Sequence, residues 1–138
     1  MPIEMSWYVQ DRVILLKFIG DITVEDMQEI SANYIDMVDT AEGDWLIHAL
    51  HDADQMESLP RAIKDTVNNA RDAFKHPRSG WTVAYNIRKP VLKLFGNMAT
   101  GMLRVRYRIF NTRAEALAFL QETDQTLPEL VTDQQESL

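Results

Sequence analysis

Val105–Leu120 reads VRYRIFNTRAEALAFL. Val105, Tyr107 and Ile109 alternate with Arg104, Arg106 and Arg108, the period-two pattern of a strand with one buried face. Thr112-Arg113-Ala114-Glu115 then has the form of a capping box, with a threonine hydroxyl placed for the amide three residues on. The helix it opens turns Leu117 and Leu120 inward. A strand that passes within a few residues into a capped helix closes an α/β domain, so this stretch decides the fold class.

Upstream, the same alternation of signals repeats. Pro90 starts a third helix running to about Leu103, since proline suits a first turn that needs no N–H. Trp81, Val83, Tyr85 and Ile87 mark a strand before it. Ser58 and Pro60 open a second helix, with Ser58 as its cap and Ile63, Val67, Ala70 and Phe74 as its buried stripe, stopped at His76-Pro77. Trp45–Leu50 is apolar on both faces and suits a central strand. Thr23–Asp26 is another capping box, followed by Val24, Met27, Ile30, Tyr34 and Val38 at helical spacing, ending near Gly43. Ser6–Val9 and Val13–Ile19 form a hairpin about Gln10-Asp11-Arg12. The order ββαβαβαβα predicts a single α/β domain over 1–122. Its sheet is mixed, mostly parallel and five-stranded, with an N-terminal hairpin and about four helices. Residues 123–138 are polar, acidic and aperiodic, which predicts a flexible tail.

Charge is distributed in blocks. The chain of 138 residues carries −7 overall, which argues against general affinity for nucleic acid. Residues 1–85 hold a net −8, residues 86–113 a net +7 with no acid, and residues 114–138 a net −6. Such blocks set local fields whatever the total. The absence of cysteine excludes disulfides and thiolate chemistry. No apolar run reaches the ~20 residues needed to span a bilayer. MPIEMSWYVQ lacks the form of a secretory signal, so a cytoplasmic location is the expectation.

Three patterns in this order resemble the STAS fold, specifically the branch of the sporulation anti-sigma factor antagonist (SpoIIAA-like). They are VILLKFIGDIT at the end of the hairpin, LIHALHD leading through a loop to MESLPRAI, and RVRYRIFNTRAEALAFL. Together they cover residues 6–121. The resemblance implies a non-catalytic regulatory or scaffold module acting through protein contacts in bacterial signalling. It also implies regulation by phosphorylation of a serine at the helix start after strand three. Here that serine is Ser58, with Glu57 before it and Leu59 where the family usually has a small residue. Members of the wider branch hold apolar ligands, so the alternative implied function is a carrier or sensor of a small amphiphilic or anionic ligand under the third helix.

The residues themselves point to a surface rather than a reaction centre. In PVLKLFGNMATGML, Val91, Leu94, Phe95, Met98 and Met102 make one stripe and Leu92, Ala99 and Leu103 another, more apolar surface than one helix face requires. Leu92, Phe95, Met98, Met102 and Leu103 are therefore the expected contact or ligand surface. Arg104, Arg106 and Arg108 are the expected anion contacts, spaced about 7 Å apart along a strand. His48, His51, Asp52 and Asp54 are the densest set of metal-ligand types. On a strand His48 and His51 point to opposite faces, so no metal site is expected. No catalytic residue set and no cofactor is expected. The expected partners are a regulatory protein, a second copy in a homodimer, or a small ligand, with no nucleic acid.

Overall fold

The computed structural model describes residues 2–130. The elements are β1 (Ile3–Val9), β2 (Val13–Asp21), α1 (Val24–Thr40), β3 (Ile47–Ser58), α2 (Ile63–Asn69), α3 (Arg71–Phe74), β4 (Ser79–Tyr85), α4 (Pro90–Leu103), β5 (Tyr107–Ile109) and α5 (Arg113–Thr123). The sheet order is β1-β2-β3-β4-β5. β1 and β2 are antiparallel, and the pairs from β2 to β5 are parallel. The predicted mixed sheet and hairpin are therefore present. Among the described residues the helices number five, because the second predicted helix is broken at Ala70, which joins α2 to α3.

This winding explains the layers. The strands advance in one direction across the sheet, and right-handed crossovers then put every connecting helix on the same side. α1, α2, α3 and α4 accordingly share one core with Leu16, Phe18, Ala49 and Ala84. The opposite face is left to α5 and the chain that follows it. Leu117, Leu120, Leu127 and Leu130 cover Val13, Leu50 and Val83 there.

Local chemistry sets the element ends. In the first turn of α1, the Asp26 N–H donates to Thr23 Oγ1 at 3.1 Å and the Thr23 N–H donates to Asp26 Oδ2 at 2.9 Å. The α1 C-terminus has no basic residue of its own. Arg78 supplies the charge from another element, donating to the Val38, Ala41, Glu42 and Trp45 carbonyls. The hairpin turns at Asp11, whose φ of 63° is a left-handed conformation that aspartate tolerates better than most residues.

Three expectations are corrected. β3 does not stop at Leu50 but continues to Ser58, so His51, Asp52 and Asp54 belong to the strand. Ile19, Gly20 and Asp21 of β2 continue to pair with it, carrying the strand through its polar half. β5 is only Tyr107–Ile109. The segment after Thr123 is not loose as far as Leu130: Leu127 is 7% and Leu130 1% exposed. It docks because the second sheet face would otherwise lie bare beside a single helix. The rest of the predicted tail, 131–138, lies outside the described residues.

Candidate functional site

The helix α4 divides its apolar residues between core and solvent. Leu92, Phe95, Gly96, Ala99 and Leu103 are buried. Leu94 is 49% and Met102 37% exposed, and Val91 and Met98 are half-buried. The spacing 91, 94, 98, 102 makes one stripe along the border of the core face, with Leu94 and Met102 exposed and Val91 and Met98 packed partly against the core. Three of the five residues expected to form a contact surface, Leu92, Phe95 and Leu103, thus face inward, Met98 is half-buried against the core, and Met102 is exposed. The helix is held close to the sheet through Gly96. A Cβ there would stand 2.5 Å from Cε1 of Tyr107, so only glycine fits without displacing that ring.

The arginine row is broken by the same helix. Arg104 is its C-cap, with a left-handed φ of 55°, and its N–H donates to the Thr100 carbonyl. Arg106 lies between that cap and β5 and is exposed. Arg108 stands in β5, its guanidinium 4.9 Å from the Phe119 ring and 5.5 Å from the Phe110 ring. The three do not form one row on a strand. At the other end of α4, Arg88 pairs with Asp54 at 2.8 Å and Lys89 with Glu57 at 3.4 Å. Among the described residues, Lys93, Arg104 and Arg106 have no ion-pair partner.

Ser58 ends β3 instead of capping a helix. Its Oγ donates to Asp21 Oδ1 at 2.7 Å. α2 begins only at Ile63, with Ala62 as its N-cap and no side-chain bond there. A helix N-terminus therefore does not stand behind Ser58, and a phosphate on it would face the Asp21 carboxylate.

Beneath the helix layer lies an apolar cavity of about 50 Å³, lined by Leu16, Phe18, Ile30, Tyr34 and Phe95 among others, with His51 on the sheet side. His51 packs edge-on against Phe18 at 5.1 Å and Tyr107 at 6.2 Å between ring centroids. Its Nδ1 and the Tyr107 hydroxyl are buried without a hydrogen-bond partner among the described residues. Burial alone pushes the His51 imidazole down to about 4 and the Tyr107 phenol up. His51 is therefore neutral near pH 7. At about 50 Å³ the cavity is well short of a small-molecule pocket as it stands, and no arginine lines it. An anionic head group inside it would not meet Arg104, Arg106 or Arg108.

The other histidine of the strand serves the opposite face. The Trp81 N–H donates to His48 Nδ1 at 2.9 Å, so the ring proton sits on Nε2, which donates to Asp124 Oδ2 at 2.9 Å. Arg12 joins from β1–β2, donating to Asp124 Oδ2 at 3.3 Å, to Thr126 Oγ1 at 2.7 Å and to the Thr126 carbonyl at 3.1 Å. Burial lowers the His48 pKa, and the Arg12 and Arg106 charges add to this; the Asp124 bond and charge offset it only in part. Partial burial pushes the Asp124 carboxyl up, but its bonds with Thr126 and His48 together outweigh that and hold it below the ordinary value. This clasp fixes the segment bearing Leu127 and Leu130. Sequence reasoning missed it because Asp124 lies 76 residues from His48. The two histidines point to opposite faces of the sheet, as the pleat requires. Among the described residues no group of three metal-ligand side chains gathers.

No protein-family profile matches this sequence, and no curated protein matches it. Solved structures do. The anti-sigma factor antagonist SpoIIAA in its unphosphorylated form superposes with a TM-score of 0.53 at 12% identity, covering 86% of this chain and 97% of that one. An uncharacterized DUF3478-family protein of Shewanella loihica PV-4, with a SpoIIAA-like fold, gives 0.57 at 17% identity, covering 86% and 91%. The phosphorylated form of SpoIIAA, a Bacillus cell fate determinant, gives 0.55 at 11% identity, covering 86% and 98%.

This chain has the SpoIIAA-like fold.

The resemblance read from the three sequence patterns holds at the level of architecture. In the SpoIIAA-like fold of this chain, α4 and its basic neighbours form one end of the helix layer. Among the described residues, no helix is long and apolar enough to cross a membrane.

Proposed function

We propose that the chain is a non-catalytic, cytoplasmic regulatory module that works by binding another protein through α4. One observation carries the reading. α4 presents Leu94 and Met102 to solvent although Leu92, Phe95, Ala99 and Leu103 already complete its core face. Apolar side chains beyond those the domain needs are characteristic of a contact surface, and methionines adapt readily to a partner's shape. The fold supports it, since two of the similar structures are of an anti-sigma factor antagonist, a name that describes action on another protein. The dispersal of the polar side chains supports it too: His51 and His48 lie on opposite faces of the sheet, each enclosed by its own packing.

The test is site-specific photo-crosslinking in the source cell from position 94, with position 17 on the opposite sheet face as control. A protein adduct at 94 that disappears in a Met102→Asp background is the expected result; equal labelling from both positions overturns the reading. A second reading, a carrier of a small apolar ligand, is favoured by the cavity at His51. Native mass spectrometry of the freshly purified protein separates the two, because a carrier retains a small molecule that unfolding releases.

A further inference from the structure

The two ends of the helix layer carry opposite charge, and each has an apolar feature suited to the other. At the α4 end, Leu94 and Met102 are exposed, and Lys93 beside Leu94 and Arg104 at the helix end have no ion-pair partner among the described residues. At the α1 end, a groove of about 350 Å³ runs between the edge strand β1 and α1. Ile3, Met5 and Met37 give it an apolar floor, and Asp26, Glu29 and Asp36 line its rim. The surrounding sequence sharpens the contrast, since no Lys or Arg occurs between Phe18 and Pro60.

The dimensions agree. Lys93 and Arg104 are eleven residues apart on or at the end of one helix, about 16 Å along its axis. Asp26 and Asp36, ten residues apart on α1, are separated by about 15 Å. Glu29 and Asp36 form no ion pair among the described residues. A helix laid along the groove could set Leu94 on the methionines and bring Lys93 and Arg104, roughly 80–100° round the helix from it, against the acids of the rim.

We propose that α4 of one copy docks in the β1–α1 groove of a second copy of this chain. The inference rests on the reading of α4 as a protein-contact surface and names its partner. Because the donor and acceptor features lie on the same helix layer, a two-fold arrangement would place both α4–groove contacts in one interface. That arrangement also sets each basic end against an acidic end, which overcomes locally the repulsion expected between two chains of net −7.

Sedimentation velocity over a concentration series tests it with three variants. Lys93→Glu and Glu29→Lys should each weaken the dimer by roughly tenfold in dissociation constant, although they change the net charge in opposite directions. The double variant should recover most of the loss. Both positions are exposed, and far-ultraviolet circular dichroism checks that each variant is folded. Leu94→Asp, also exposed, should abolish association. A wild-type chain that stays monomeric up to millimolar concentration overturns the proposal, as does a dimer that none of these variants affects. A monomeric wild type that still crosslinks to a different protein from position 94 rejects self-docking and leaves the functional reading standing. Binding of a monomer to vesicles of anionic phospholipid, with no protein adduct, rejects both.

Discussion

His51 makes the stability of this domain depend on pH in a predictable window. Its ring is enclosed by Phe18, Tyr107 and the cavity wall, and burial holds its pKa near 4. In the unfolded chain the same imidazole titrates near 6.5. Between these values the unfolded state binds a proton that the folded state refuses, so stability falls as pH falls from about 6.5 to about 4. The gap is equivalent to about 3 kcal/mol when fully expressed, and to about 2.5 kcal/mol at pH 4.5. His48, lowered by burial in the same direction, adds to this loss. Asp124 does not enter until lower pH: its folded pKa lies below the ordinary carboxylate value, so its contribution is lost only as pH falls below that range. Urea unfolding followed by tryptophan fluorescence at pH 7.5 and 4.5 measures the effect. His51→Phe keeps a ring of similar size, with the adjacent cavity to absorb the difference, and removes the titrating group. The wild type should lose about 2 kcal/mol or more on acidification, and the variant should lose correspondingly less. If both lose the same amount, the imidazole is not held neutral by burial and the reasoning fails.

Further tests concern packing and the chain's ends. Gly96→Ala should destabilise the fold by about 1–3 kcal/mol in urea melts, because its Cβ would meet the Tyr107 ring at 2.5 Å. Leu130→Ala should cost about 2–5 kcal/mol, a loss that a loose tail would not show. Arg104→Gly should raise stability by about 1 kcal/mol, since φ at this cap is 55° and glycine adopts it without strain. Leu92→Asp should unfold the domain, whereas Leu94→Asp should leave the melting temperature nearly unchanged.

What could be read from the sequence was whatever local chemistry decides. Thr23 and Thr112 mark helix starts because each hydroxyl accepts from an amide three residues on, a bond that needs nothing from the rest of the chain. The alternation in the hairpin and in β4 was equally legible, as was the opposition of His48 and His51, which follows from the pleat alone. Ser58 misled because a serine and a proline before an apolar stripe have the composition of a helix start. The neighbouring β2 continues to Asp21 and pairs with β3 throughout, and those pairings outweigh the local preference.

The site was harder to read for a related reason. Periodicity on α4 resolves two apolar stripes but carries no information about which one meets the sheet. That choice is made by Tyr107, whose ring lies against the glycine face at Gly96 and turns Leu92, Phe95 and Leu103 inward. The arginines at 104, 106 and 108 have strand spacing, yet β5 begins only at Tyr107 and Arg104 is used to cap the helix before it. The His48–Asp124 clasp depends on a contact between chain segments with no shared pattern. In each case the deciding partner is distant in sequence, so residue type supplies the candidates and tertiary packing selects among them. The exposed part of α4 is what remains after that selection, and Leu94 and Met102 are for that reason better evidence of a partner than the full apolar helix was.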